Sequence, residues 1–187
     1  MKKRIFAFAL MLVLLCSLSA PAFAAQLKKN LDSSTSQGQA QYKSSRDFIE
    51  AVNEVDGFSC TAGEVYTGSG GETYEIVNVS YAGGELSPYK SNLTMFFNEP
   101  GDEVQLVMYN LISFEAGELA DVLTAINDVN AAGSGVKFYV DTSDNTVTAE
   151  MYQLTTPETC VEIAATALGF LISYTDAVYE SLTDYAA

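Results

Sequence analysis

Asp141, Ser143, Asp144 and Asn145 place oxygen-bearing side chains close together in a short run, a donor set that a calcium ion accepts. The run is shorter than a helix–loop–helix calcium site and lacks its closing bidentate glutamate, so it reads first as turn chemistry. Glu115, Glu118 and Asp121 form a second carboxylate group. Paired carboxylates can cleave glycosidic bonds, but that reaction needs a cleft with aromatic platforms, and the chain has no tryptophan. These three residues suit the first turn of a helix, where the macrodipole favours negative charge. The chain also has no histidine. Ser-His-Asp and Cys-His catalysis, histidine–glutamate zinc sites and histidine pH switches are thereby excluded. Cys60 and Cys160 either pair or stay as buried thiols. A bond between them would close a loop of about a hundred residues, for which chain entropy allows roughly 4–5 kcal/mol.

Two further groups are candidates for recognition rather than reaction. Asn127 and Asn130, three apart, share one face of a helix near its end. Their amides suit capping carbonyls and fixing the path into the next strand, or else reading a partner backbone. The chain carries 11 tyrosines, and Tyr66, Tyr74, Tyr81 and Tyr89 fall in its first half. Aromatic residues dominate the energetics of interfaces, so an uncovered sheet face bearing Tyr74, Val79, Tyr81, Met95 and Phe97 is the expected protein-binding surface.

The elements that must position these residues are legible from periodicity. Over 114–154 the chain reads as a helix followed by a hairpin. Leu119, Val122, Leu123, Ile126 and Val129 make the helical stripe, and Gly133 and Gly135 end it. Val136, Phe138 and Val140 then alternate as a strand, and 146–153 returns as its partner. Before this unit, Phe48, Ile49, Val52 and Val55 mark a short helix that starts near Ser44 and Ser45, with Asp47 supporting its N-terminus. Strands are expected over 58–66, 74–81, 93–97 and 104–112, the last apolar on both faces and therefore central. A long helix follows, with Thr156 as N-cap, Pro157 in its first turn and a stripe from Val161 to Leu182. The expected fold is α+β: a twisted, mainly antiparallel sheet of five to six strands with helices packed on one face.

The N-terminus reads as an address. Lys2, Lys3 and Arg4 precede an apolar run over 5–18, and Ala22-Phe23-Ala24 supplies small residues at a cleavage site. The run is too short for a comfortable membrane span, so no stable insertion is expected after cleavage. Leu15 ahead of Cys16 does not suit lipoprotein processing. The expected organisation is a signal peptide (1–24), a flexible polar tail (25–44) and one domain (45–187), in an exported, extracytoplasmic protein. Loss of the leader's three basic residues takes the formal net charge from −15 to −18. Such a surface suits cationic proteins or peptides and repels nucleic acid and anionic lipid.

The order of helix, three strands, helix, hairpin and long helix resembles the YbjN family, whose fold is that of type III secretion chaperones. Ala125-Ile126-Asn127-Asp128-Val129-Asn130 is similar to the family's helix ending in an Asn-x-x-Asn pair. Val136-Lys137-Phe138-Tyr139-Val140-Asp141 resembles the strand that follows, and a C-terminal helix with Asp176 and Tyr179 fits as well. The resemblance implies protein binding and dimerisation. The expected function is an exported, non-catalytic protein-interaction module, regulator- or chaperone-like and homodimeric, with no cofactor. The alternative is a small carboxylate-based hydrolase or a calcium- or ligand-binding domain.

Overall fold

The computed structural model describes residues 40–81 and 93–184. The expected leader, the tail up to residue 39, and the connection over 83–91 with Tyr89 lie outside the described residues. Helix α1 (Lys43–Asn53) leads into strands β1 (Phe58–Thr67), β2 (Thr73–Tyr81), β3 (Leu93–Asn98) and β4 (Glu103–Ser113). A 3-10 turn (Ala116–Glu118) runs into helix α2 (Leu119–Ala131). Hairpin β5 (Val136–Asp141) and β6 (Thr146–Leu154) and helix α3 (Cys160–Thr183) complete the fold. The strands form one open sheet in the order β1-β2-β3-β4-β6-β5, antiparallel at every pairing. This is the expected α+β class, with four strands ahead of α2 where the family resemblance implies three.

The two-residue period of the strands sorts the side chains. Val77, Met95, Leu106, Met151 and Val136 line up across five strands, and Val79, Leu93, Met108, Ala149 and Phe138 form the neighbouring row. All ten are buried. The helices sit on these rows. Phe48 of α1 packs on Phe97 with ring centroids 5.2 Å apart, and Tyr174 of α3 lies 6.1 Å from Phe138. The Thr175 hydroxyl donates to the Met108 sulfur at 3.4 Å. Helix α2 leans on α3 and on β5, burying Val122 and Ile126. All three helices therefore lie against one face of the sheet. The long apolar helix α3 is the centre of that layer, with Ala164, Leu168 and Leu171 fully buried.

Helix α1 begins at Lys43, and its N-cap Tyr42 makes no side-chain cap. Asp47 does not support this end; it forms an ion pair with Lys43 one turn away. The capping group comes from the sheet. The buried Glu75 of β2 accepts hydrogen bonds from the backbone N–H groups of Gln41 and Tyr42, both at 2.7 Å, and from the Ser45 hydroxyl. Helix N-termini carry unpaired N–H groups and a partial positive charge, so a buried carboxylate there is compensated on both counts. Arg46 donates to the Ala40 carbonyl at 3.0 Å, and Ala40 is buried. Residues 40–44 thus belong to the domain rather than to the tail.

Three other boundaries shift for local reasons. Helix α3 starts at Cys160, because 156–159 closes a separate turn in which the Thr159 N–H donates to the Thr156 carbonyl at 3.0 Å. On α2, Leu123 is 42% exposed, while Val122 and Ile126 are buried and Leu119 and Val129 pack partly buried against the core. In β4 a bulge sits between Met108 and Ile112, with Asn110 at φ 55°. Asparagine tolerates that left-handed backbone, and the bulge adds Leu111 to the core beside Ile112.

Candidate functional site

The structure divides the expected binding face between the two sides of the sheet. Val79, Tyr81, Met95 and Phe97 are buried beneath the helices, whereas Tyr74 points to the opposite side. Alternation groups 77, 79 and 81 together but does not say which group the helices cover, and the most apolar group is the one the core takes. Tyr81 stacks on Phe58 with centroids 5.8 Å apart, and burial, with Asp176 nearby, pushes its hydroxyl up to about 12.

The face that none of the described helices covers has its own aromatic set. Tyr66 of β1 stands opposite Tyr74 of β2, while Ile76, Phe96, Gln105 and Tyr152 form the next row across β2, β3, β4 and β6. Tyr109 and Tyr139 lie at the far end. Tyr66 is 53% exposed and Tyr152 50%. Glu103 of β4 is central: the Tyr152 hydroxyl donates to its carboxylate, and the Tyr74 hydroxyl is hydrogen-bonded to it from the other side. Donation to that carboxylate holds both phenols neutral and pushes each up to about 12. Farther along, the Gln105 amide donates to Glu150 at 2.8 Å, and Lys137 stands across from Glu150 on β5. Tyr152, Tyr109, Tyr139 and Phe96 were readable as the out-of-phase members of their strands, but only knowledge of the covered face separates them from core residues.

Both edge strands of the sheet carry the same device at one residue each. Asn130, at the end of α2, donates its side-chain N–H to the Phe138 carbonyl at 2.8 Å and accepts from the Phe138 N–H at 2.9 Å. Asn53, the last residue of α1, does the same to Cys60, with its Nδ2 at 3.0 Å from the carbonyl and its Oδ1 accepting at 2.5 Å. In each case a glycine with positive φ, Gly57 or Gly135, turns the chain from helix to strand. Each asparagine satisfies both backbone groups of one outward-facing edge residue, which blunts the edge against strand addition. Asn127, by contrast, is exposed. Asn53 is the residue that sequence reasoning missed. The shared order Val-Asn, short turn, Gly, strand at 52–58 and 129–136 is its signal. Asn53→Ala and Asn130→Ala are each expected to destabilise the fold by about 1 kcal/mol, because a part-buried edge amide and carbonyl lose their partner. Asn127→Ala should change stability by no more than about 0.5 kcal/mol. Urea denaturation of the three variants checks this.

The remaining candidates are structural. Cys60 and Cys160 are free and buried, not bonded. Cys60 pairs with Val79, five residues along β2 from Tyr74, or about 16 Å at strand rise. Tyr74 faces Asn98 at the end of the sheet where Asp102 and Thr155 meet, and Cys160 lies beside Thr155. A disulfide needs Cα atoms within about 7 Å. Burial pushes the Cys60 thiol up to about 12 and raises that of Cys160, the opposite of what a nucleophile requires. Asp141 accepts from the Ser143 N–H at 2.9 Å and hydroxyl at 2.6 Å, which hold its carboxyl below the usual range. Asp144 accepts from Thr146 at 2.7 Å. These oxygens are used inside the turn, and no group of three or more metal-binding side chains occurs among the described residues. Glu115 and Glu118 form a reciprocal capping box ahead of α2. No protein-family model, characterised protein or solved structure matches the chain.

Proposed function

We propose that this chain is an exported, non-catalytic protein-interaction module that binds through the uncovered face of its sheet. The observation that carries the reading is the face itself: Tyr66, Tyr74, Tyr109, Tyr139 and Tyr152 with Ile76 and Phe96, on the side away from all three helices. Tyrosine offers large contact area with few rotatable bonds and a polar tip, which is why it concentrates at interfaces. The asparagines capping Cys60 of β1 and Phe138 of β5 interrupt each edge at one residue and so disfavour strand addition there. The leader at 1–24 supports export, and the resemblance to the YbjN family supports a role in binding protein. The acidic charge favours a cationic partner over a second copy of the same acidic chain. Photo-cross-linking from positions 66 and 152 in cells expressing the chain tests the reading; adducts with another protein are expected from both.

A further inference from the structure

We infer that the occupant of the open face is an extended segment rich in lysine or arginine, and that one of its cationic heads is anchored on Glu103 between the rings of Tyr74 and Tyr152. This rests on the interaction-module reading and names the partner chemistry of the same face. The Glu103 carboxylate lies between two tyrosine hydroxyls, one reaching it from β2 and one from β6. The Tyr152 hydroxyl donates to it, so its charge is fixed in place rather than free to swing. A carboxylate still has lone pairs left after that bond. An ammonium or guanidinium above it would meet negative charge at the centre and electron-rich ring faces on either side, and that combination selects cations over neutral groups. Tyr66 stands across from Tyr74 and extends the aromatic wall, while Glu72 and Asp102 add negative charge around the same corner.

No cation of the chain itself serves this corner among the described residues. Lys43 is paired with Asp47, Arg46 donates to the carbonyls of Ala40 and Gln41, and Lys137 stands opposite Glu150 on the far hairpin. The spacing also suits an extended ligand. Glu103 and Glu150 lie on adjacent strands of one face, with Gln105 bonded to Glu150 between them. Alternate side chains of a strand-like peptide project to one side, so two of its cations could meet the two carboxylates while apolar or hydroxyl groups lie on Phe96 and Ile76.

The probe is the acetylated, amidated peptide (Lys-Thr)4, titrated at physiological salt into the isotope-labelled full chain, with (Glu-Thr)4 as its charge-reversed control. Amide shifts should saturate around Tyr74, Glu103 and Tyr152, and the control should cause none. Glu103→Gln should weaken binding about tenfold, the loss of one charge-assisted contact, and should leave the melting temperature unchanged. Tyr152→Leu, which keeps an apolar group but removes the ring and hydroxyl, should weaken it as well. Equal affinity of Glu103→Gln with shifts still confined to the open face would overturn the anchor and leave the interaction face standing. Shifts scattered over the carboxylates of the helices would overturn both. Shifts of the same amides with chain concentration alone would identify a second copy as the occupant and overturn the cationic one.

Discussion

Glu75→Ala is expected to be among the most damaging substitutions in the chain, costing about 3–5 kcal/mol, as the loss of one partner from a buried charged network does. Position 75 shares the parity of Val77, Val79 and Tyr81, but a glutamate in a strand reads as a solvent-facing residue. The cost arises because three donors converge on one carboxylate: the amides of Gln41 and Tyr42 and the Ser45 hydroxyl. Alanine would take the acceptor from both amides at the positive end of α1 and leave the Ser45 hydroxyl only the Tyr42 carbonyl at 3.1 Å. Glu75→Gln should recover only part of the loss, because its NH2 group cannot accept from an amide N–H. Ser45→Ala removes one donor without stranding the carboxylate and should cost about 1 kcal/mol. Urea denaturation followed by circular dichroism ranks the three; a Glu75→Ala loss below that of Ser45→Ala would contradict the capping role.

Phe97→Ala is expected to destabilise by a similar amount, about 3–5 kcal/mol, by opening a cavity under α1. Phe97 is fully buried and its ring meets Phe48 at 5.2 Å, so the substitution removes contacts that hold the helix on the sheet. For a domain of this size that corresponds to a fall in melting temperature of about 10 °C. Loss of partner capture in this variant would report unfolding, not a missing contact. Phe96→Ala, one residue along and on the open face, should cost much less in stability and more in binding. Thermal melts of the two side by side separate the faces directly. A Phe97→Ala protein that melts within a degree or two of the parent would contradict the assignment of the covered face.

Those neighbours show what was legible in the chain. Strand positions, the α1 and α2 stripes and the α+β class follow from local periodicity, because one period of two or 3.6 fixes which residues share a side. Which side the helices cover does not follow, since it depends on how α1, α2 and α3 fold back over the sheet. The expectation that Tyr81 and Phe97 lie on an open face fails for that reason, and Tyr74 lies on the open side because its parity differs. Asn130 was visible as a helix-end residue, yet its partner, the Phe138 backbone, is set by the turn at Gly135. Glu75 and Asn53 stayed hidden because their partners, 33–34 and 7 residues away, are joined only in the folded chain. Cys60 and Cys160 looked bondable in sequence and are kept apart by the length of β2.

In the proposed function the open sheet face, not the helical layer, meets the partner. Placing a photo-reactive benzophenone side chain at position 152 and, separately, at Leu123 on the exposed side of α2 tests it in one gel. The account predicts an adduct with a second, basic protein from position 152 and none from position 123. An adduct from position 123 alone, or from neither position, would contradict it.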